Sequence, residues 1–125
     1  MSLVKAFNNH LLEFVEDVIR IFPDNADIRT CKTFLESIKK VNPKKTIVYW
    51  NNYIVSLYDT QITEGDLNFF INKDYNQDVG GNKSENLRVL EDIRKLVKET
   101  TKENQEKAMK YVQNLNKICK LYFNN

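Results

Sequence analysis

The sequence predicts an all-α fold, a single compact bundle of five to six helices spanning residues 1–125. Three observations predict it. Apolar residues recur at steps of three and four along most of the chain. The breakers are few: 3 Gly and 2 Pro are too scarce for a turn-rich β architecture. Finally, the one β-rich string, Thr46-Ile47-Val48-Tyr49-Trp50, has no partner run elsewhere, and a lone strand is not stable in water.

Each element follows from its own pattern. Phe7, Leu11, Phe14, Val15, Val18 and Phe22 form one apolar stripe, with Ser2 placed to cap its start and Pro23 to stop it. After Asp24-Asn25, a second stripe runs through Ile28, Cys31, Leu35, Ile38 and Val41 and ends at Pro43. Its far side carries Arg29, Lys32, Glu36, Lys39 and Lys40, a solvated face. Residues 43–62 read as a central helix, with Ile47, Trp50, Ile54, Leu57 and Tyr58 inward and Val48 and Val55 as a second apolar edge. A short fourth helix follows Gly65-Asp66, with Leu67, Phe70 and Ile71 apolar. Residues 76–83, which contain Gly80-Gly81, read as a loop. Ser84 is placed to cap a fifth helix with Leu87, Leu90, Ile93, Leu96 and Val97 as its stripe. Thr100 and Glu103 have capping-box spacing. The last helix then buries Ala108, Tyr111, Val112, Leu115, Ile118, Cys119 and Tyr122.

Composition narrows the function classes. A formal charge of +2 is far from that of a DNA-packaging protein. Sixteen Asn, 15 Lys and 10 Ile against 3 Ala and 4 Arg reflect A/T-rich codons, so the asparagines carry no functional signal. Cys31 and Cys119 lie 88 positions apart and read as small core residues of a protein from a reducing compartment. No apolar run reaches the roughly 20 residues of a membrane span or the pattern of a signal peptide. These features lead us to expect a soluble, cytoplasmic protein without a cofactor.

Catalytic signals are weak. His10 is the single histidine, and no spacing sets it beside a cysteine. Glu13, Glu16 and Asp17 share one side of the first helix, as a solvated face or as an acid–base or metal cluster would. Phosphate-loop, dinucleotide, zinc-protease and nucleophile-elbow motifs are absent. The residues therefore point away from an enzyme. One metal pattern exists: Asp74, Asn76, Asp78 and Glu85 occupy positions 1, 3, 5 and 12 of an EF-hand-like loop, which would make a Ca²⁺-influenced module. Val79 stands where that loop needs glycine to turn.

Binding signals are stronger. Lys39, Lys40, Lys44 and Lys45 bracket Pro43, and Tyr49 and Trp50 follow. Cations beside aromatics suit a nucleic-acid backbone with stacked bases, although four Arg supply few bidentate phosphate clamps. They also suit protein docking. Residues 26–45 carry a balance of +4, 46–82 of −4 and 102–125 of +3, and such polarity favours complementary surfaces. A bundle of this size cannot hide all of Tyr49, Tyr53, Phe69, Tyr75 and Phe123. Tyr49 and Tyr53, four residues apart, share one side of the central helix. They form the candidate docking patch, with the four lysines meeting an acidic partner.

The strings Gly65-Asp66-Leu67-Asn68-Phe69-Phe70, Lys73-Asp74-Tyr75 and Glu103-Asn104-Gln105-Glu106-Lys107-Ala108-Met109-Lys110-Tyr111 resemble a small helical protein family of large nucleocytoplasmic DNA viruses and related marine sequences. The resemblance covers most of the chain and brings no site residues or activity with it. It implies a host-cell cytoplasm or virion setting. The expected function is therefore non-enzymatic protein–protein interaction, with virion association or assembly as its context. Nucleic-acid binding through residues 39–45 and the Ca²⁺-influenced module are the alternatives.

Overall fold

A computed structural model describes residues 2–72 and 95–124, and every regular element in them is helical. The order is α1 (Leu3–Ile21), α2 (Ala26–Val41), α3 (Lys44–Trp50), a π turn (Asn51–Val55), α4 (Ser56–Glu64), α5 (Leu67–Asn72) and α6 (Lys102–Phe123). Residues 95–98 are also helical. The fold is all-α, as the periodicity requires.

α1 is the hub. The Ser2 hydroxyl accepts the Lys5 amide at 3.2 Å, satisfying one of the amides a helix start leaves open. At the other end the Phe22 amide reaches the Val18 carbonyl, and Pro23 has no N–H with which to continue. Phe7, Leu11, Phe14, Val15 and Val18 are buried, and α1 packs most extensively on α6 and then on α2.

α2 starts with Asn25, whose side-chain oxygen accepts the Ile28 amide at 3.0 Å. Ile28, Cys31, Leu35 and Ile38 face the core. Val41, expected to extend that stripe, is instead 82% exposed. It is the last residue of the helix, and the chain turns away at Asn42-Pro43 before Val41 meets a neighbour. Asn8 of α1 secures this corner: it is buried, and its amide donates to the Pro43 carbonyl at 2.9 Å.

α3, the π turn and α4 form one continuous rod. The residues at both junctions keep right-handed helical dihedrals. Within the π turn the Ser56 amide bonds the Asn51 carbonyl, five residues back, and the Ser56 hydroxyl donates to the Asn52 carbonyl. The inward series is Ile47, Trp50, Ile54, Tyr58 and Ile62. Leu57, expected inside, points out and is 47% exposed. Tyr58, expected inward with it, is buried, so across the wide turn Leu57 alone of the expected inward series faces out. The rod ends in a Schellman motif: the Gly65 amide bonds Ile62 O, the Asp66 amide bonds Gln61 O, and Gly65 sits at φ +70°.

α6 begins one residue later than its capping-box spacing suggests. Thr101 is the cap, and its hydroxyl accepts the Asn104 amide at 3.2 Å. Thr100 closes the preceding turn through its amide to Val97 O, and its hydroxyl accepts the Asn104 side-chain NH₂ at 3.0 Å. Both threonines are occupied, but Glu103 does not complete a box with Thr100.

The interior is where α1, α2, the α3–α4 rod and α6 converge. Phe7 meets Trp50 edge-on at 5.7 Å, and Phe14 stacks on Tyr111 at 5.1 Å. Phe7, Val15, Ile28, Ile47, Ile62 and Leu115 are sealed from solvent. Each such side chain contributes about 1.5–3 kcal/mol through burial. Several expectations lie outside the described residues: the loop at 76–83, the Ser84 cap, the stripe at Leu87, Leu90 and Ile93, Tyr75, and the Ca²⁺ ligand set Asp74, Asn76, Asp78 and Glu85.

Candidate docking surface

The sequence-predicted site is divided by the fold into an inward and an outward part. Trp50 goes inward. Its indole N–H donates to Asn116 Oδ1 at 2.7 Å, and the Asn116 NH₂ donates to Asp59 Oδ1 at 3.3 Å. Lys120 closes the chain on Asp59 at 3.0 and 3.2 Å. A buried indole needs an acceptor, and this relay carries its hydrogen bond to a solvated ion pair. Trp50 is therefore a core anchor, and its ring is not available to stack a base.

Tyr49 and Tyr53 lie on the other side of the rod, with ring centroids 4.5 Å apart and planes tilted by 34°. Tyr53 is 40% exposed, and Val48 (39%) and Leu57 (47%) accompany it. Lys45, Tyr49, Tyr53 and Leu57 follow one another at steps of four. In a regular α-helix each four-residue step overshoots a turn by roughly 40°, so such a line winds round the cylinder. The wider π turn takes back part of that overshoot and keeps the line straight. The result is an outward apolar strip along a rod otherwise buried on its inner face.

The lysines separate in the same way. Lys40, Lys44 and Lys45 are exposed and make no ion pair with any described residue. Lys39 is half-buried and donates to Asn9 Oδ1 across the α1–α2 contact at 2.6 Å, which ties it to the bundle. Three of the four expected cations thus stand beside the N-terminal end of the strip.

The acidic group on α1 is also occupied. Asp17 accepts the Tyr111 hydroxyl and pairs with Arg20. Glu16 lies 3.5 Å from Lys32, and Glu13 lies 3.7 Å from His10 Nδ1. Burial, and then the charge of Glu13, push the Tyr111 hydroxyl above its usual pKa despite Arg20 nearby. Among the described residues no group of three His, Cys, Asp or Glu side chains is placed to hold a metal. The His10 ring packs on Tyr111 at 4.9 Å, and its buried Nε2 has no hydrogen-bond partner among the described residues. Beside this group a cleft of about 190 Å³ opens between α1 and α6, walled by Phe14, Val18 and Ile21 and rimmed by Arg20 and Lys107.

Both cysteines are buried thiols outside any disulfide with a described residue. Cys119 donates to the Ile47 carbonyl at 3.5 Å, and burial pushes its thiol up to about 11, so it is held as a neutral core group. Sequence reasoning missed Asn8 and Asn116, the buried polar residues of the described chain. Their signal was position: each interrupts an apolar helix face. No described helix is long and apolar enough to cross a membrane. No protein-family model, curated protein or solved structure matches the chain.

Proposed function

We propose that the chain is a non-enzymatic protein-docking module whose contact surface is the outward strip of the α3–α4 rod. The observation that carries this reading is the exposure of Tyr53 and Leu57 in line with the Tyr49–Tyr53 pair, with exposed Val48 at the strip's flank. Large apolar side chains aligned on an otherwise polar helix face mark contact sites, and tyrosine is a favoured anchor in them. Lys40, Lys44 and Lys45 at one end add complementarity for acidic groups, which speeds encounter and fixes orientation more than it adds affinity. The nucleic-acid alternative loses Trp50 as a stacking platform, and the strip runs toward Glu64 and Asp66, which repel a phosphate backbone. The setting we attach to the module, host-cell cytoplasm or virion, rests on the resemblance of residues 65–75 and 103–111.

The test is site-specific photocrosslinking in the native source. Tyr53 is replaced by p-benzoylphenylalanine in one sample, and Glu36 on the solvated face of α2 in another. Discrete protein adducts from position 53 and none from position 36 are expected. No adducts from position 53, or the same adducts from both positions, would overturn the reading.

A further inference from the structure

The rod's charges are arranged against its own dipole. A helix favours acidic groups at its N-terminus and basic groups at its C-terminus. Here Lys44 and Lys45 occupy the first turn and Glu64 is the last residue, while Asp66, beyond Gly65, is engaged by the Phe69 amide at the start of α5. The first turn of α3 contains no acidic residue, and the last turn of α4 no basic one. Pro43 provides no side-chain cap either. Lys44, Lys45 and Glu64 are exposed and make no ion pair with any described residue. Glu64 is seven residues beyond Leu57, a same-face separation, and Lys45 is four before Tyr49. A straight apolar strip therefore runs between a basic end at Lys44 and Lys45 and an acidic end at Glu64, neither paired by a described residue.

We propose that the occupant of this strip is a second copy of the chain, bound antiparallel about a two-fold axis. The inference rests on the docking reading above and names its partner. Residues 44 and 64 are equidistant from Ile54. With the axis beside Ile54, Lys44 and Lys45 of each copy lie level with Glu64 of the other, and both Tyr53 side chains fall at the centre. A two-fold interface must be self-complementary, and this strip is: basic, apolar, acidic in one direction and acidic, apolar, basic in the other. The pairing sets each dipole end beside the charge it prefers. The rod is about 30 Å long and one helix wide, so it presents less than the roughly 800 Å² per partner of a standard interface. The dimer is correspondingly weak, with Kd on the order of micromolar to millimolar.

Sedimentation velocity from about 10 μM to 1 mM at low salt tests this, with the concentration range set by that affinity. The chain is expected to shift from monomer to dimer, and added salt to reverse the shift. Lys44→Glu/Lys45→Glu makes both ends of the strip acidic, and Glu64→Lys makes the basic end's partner basic. Each variant alone is expected to weaken dimerisation at least tenfold, with helicity unchanged by circular dichroism, and an equimolar mixture to restore it. A monomer at every concentration, a dimer indifferent to both reversals, or a mixture that stays monomeric would overturn the proposal. Adducts from position 53 with other proteins, seen together with a monomeric chain, would sink this inference and leave the docking reading standing.

Discussion

Replacing Asn116 with Leu isolates the energy of the Trp50 relay. The side chains are similar in size, so the cavity term is small, and the change is electrostatic. Trp50 Nε1 loses its acceptor, 2.7 Å away, while remaining in the core. A buried donor left unsatisfied costs about 1–3 kcal/mol. Asp59 loses a weaker 3.3 Å contact but keeps Lys120, so its share is about 0.5 kcal/mol. The sum is about 1.5–3.5 kcal/mol. With a urea m-value of about 1.5 kcal/mol/M, the unfolding midpoint falls by about 1.5 M, read from the fluorescence of the single tryptophan. Trp50→Phe in the same background removes the orphaned N–H. The double variant, followed by circular dichroism, is expected to lose at least 1 kcal/mol less than the two single losses added together. A midpoint change under 0.3 M, or strict additivity, would refute the view that the relay exists to satisfy the indole.

Other outcomes follow from the same geometry. Gly65→Ala, at φ +70°, costs about 1 kcal/mol in urea denaturation, because alanine must adopt the left-handed conformation. Leu57→Lys and Tyr53→Lys change stability by no more than about 0.5 kcal/mol and abolish crosslinking from the neighbouring strip positions. Stability falls as pH rises from about 9 to about 11. The unfolded thiol of Cys119 ionises near its ordinary value while the folded one is held up to about 11, so the unfolded state binds fewer protons. Tyr111, also raised, adds to the loss in the same direction. Thermal melts across that range check the sign. In the native state Cys119 reacts with a thiol reagent at pH 8 only on the timescale of unfolding.

Much of the fold was legible because its signals are local. α1 and α2 each carry an apolar stripe, a capping side chain and a proline stop, and these agree with one another. The discrepancies arise where a choice depended on neighbours. Thr100 and Thr101 have equal capping chemistry, and the turn at Val97 decides between them. Val41 continues a periodic stripe, but the corner at Pro43 leaves it nothing to touch. No composition marks Asn51–Val55 as a π turn. Its effect is to leave Leu57 outward while Tyr58 stays inward as expected, and that register makes the strip. The lysine cluster was visible as a cluster, whereas the loss of Lys39 to Asn9 depended on a contact 30 residues away. Codon bias explains most asparagines, and for that reason it concealed Asn8 and Asn116, the two buried among the described residues.

The docking reading requires contact on the outward face of the α3–α4 rod and not elsewhere among the exposed apolar residues. Hydroxyl-radical footprinting of dilute and concentrated protein, read residue by residue, tests it most directly. Tyr53 and Leu57 are predicted to oxidise readily when dilute and to become protected when concentrated, while Leu121 and Phe123, equally open on α6, stay unchanged. Protection of Leu121 and Phe123 with Tyr53 and Leu57 still reactive would contradict it.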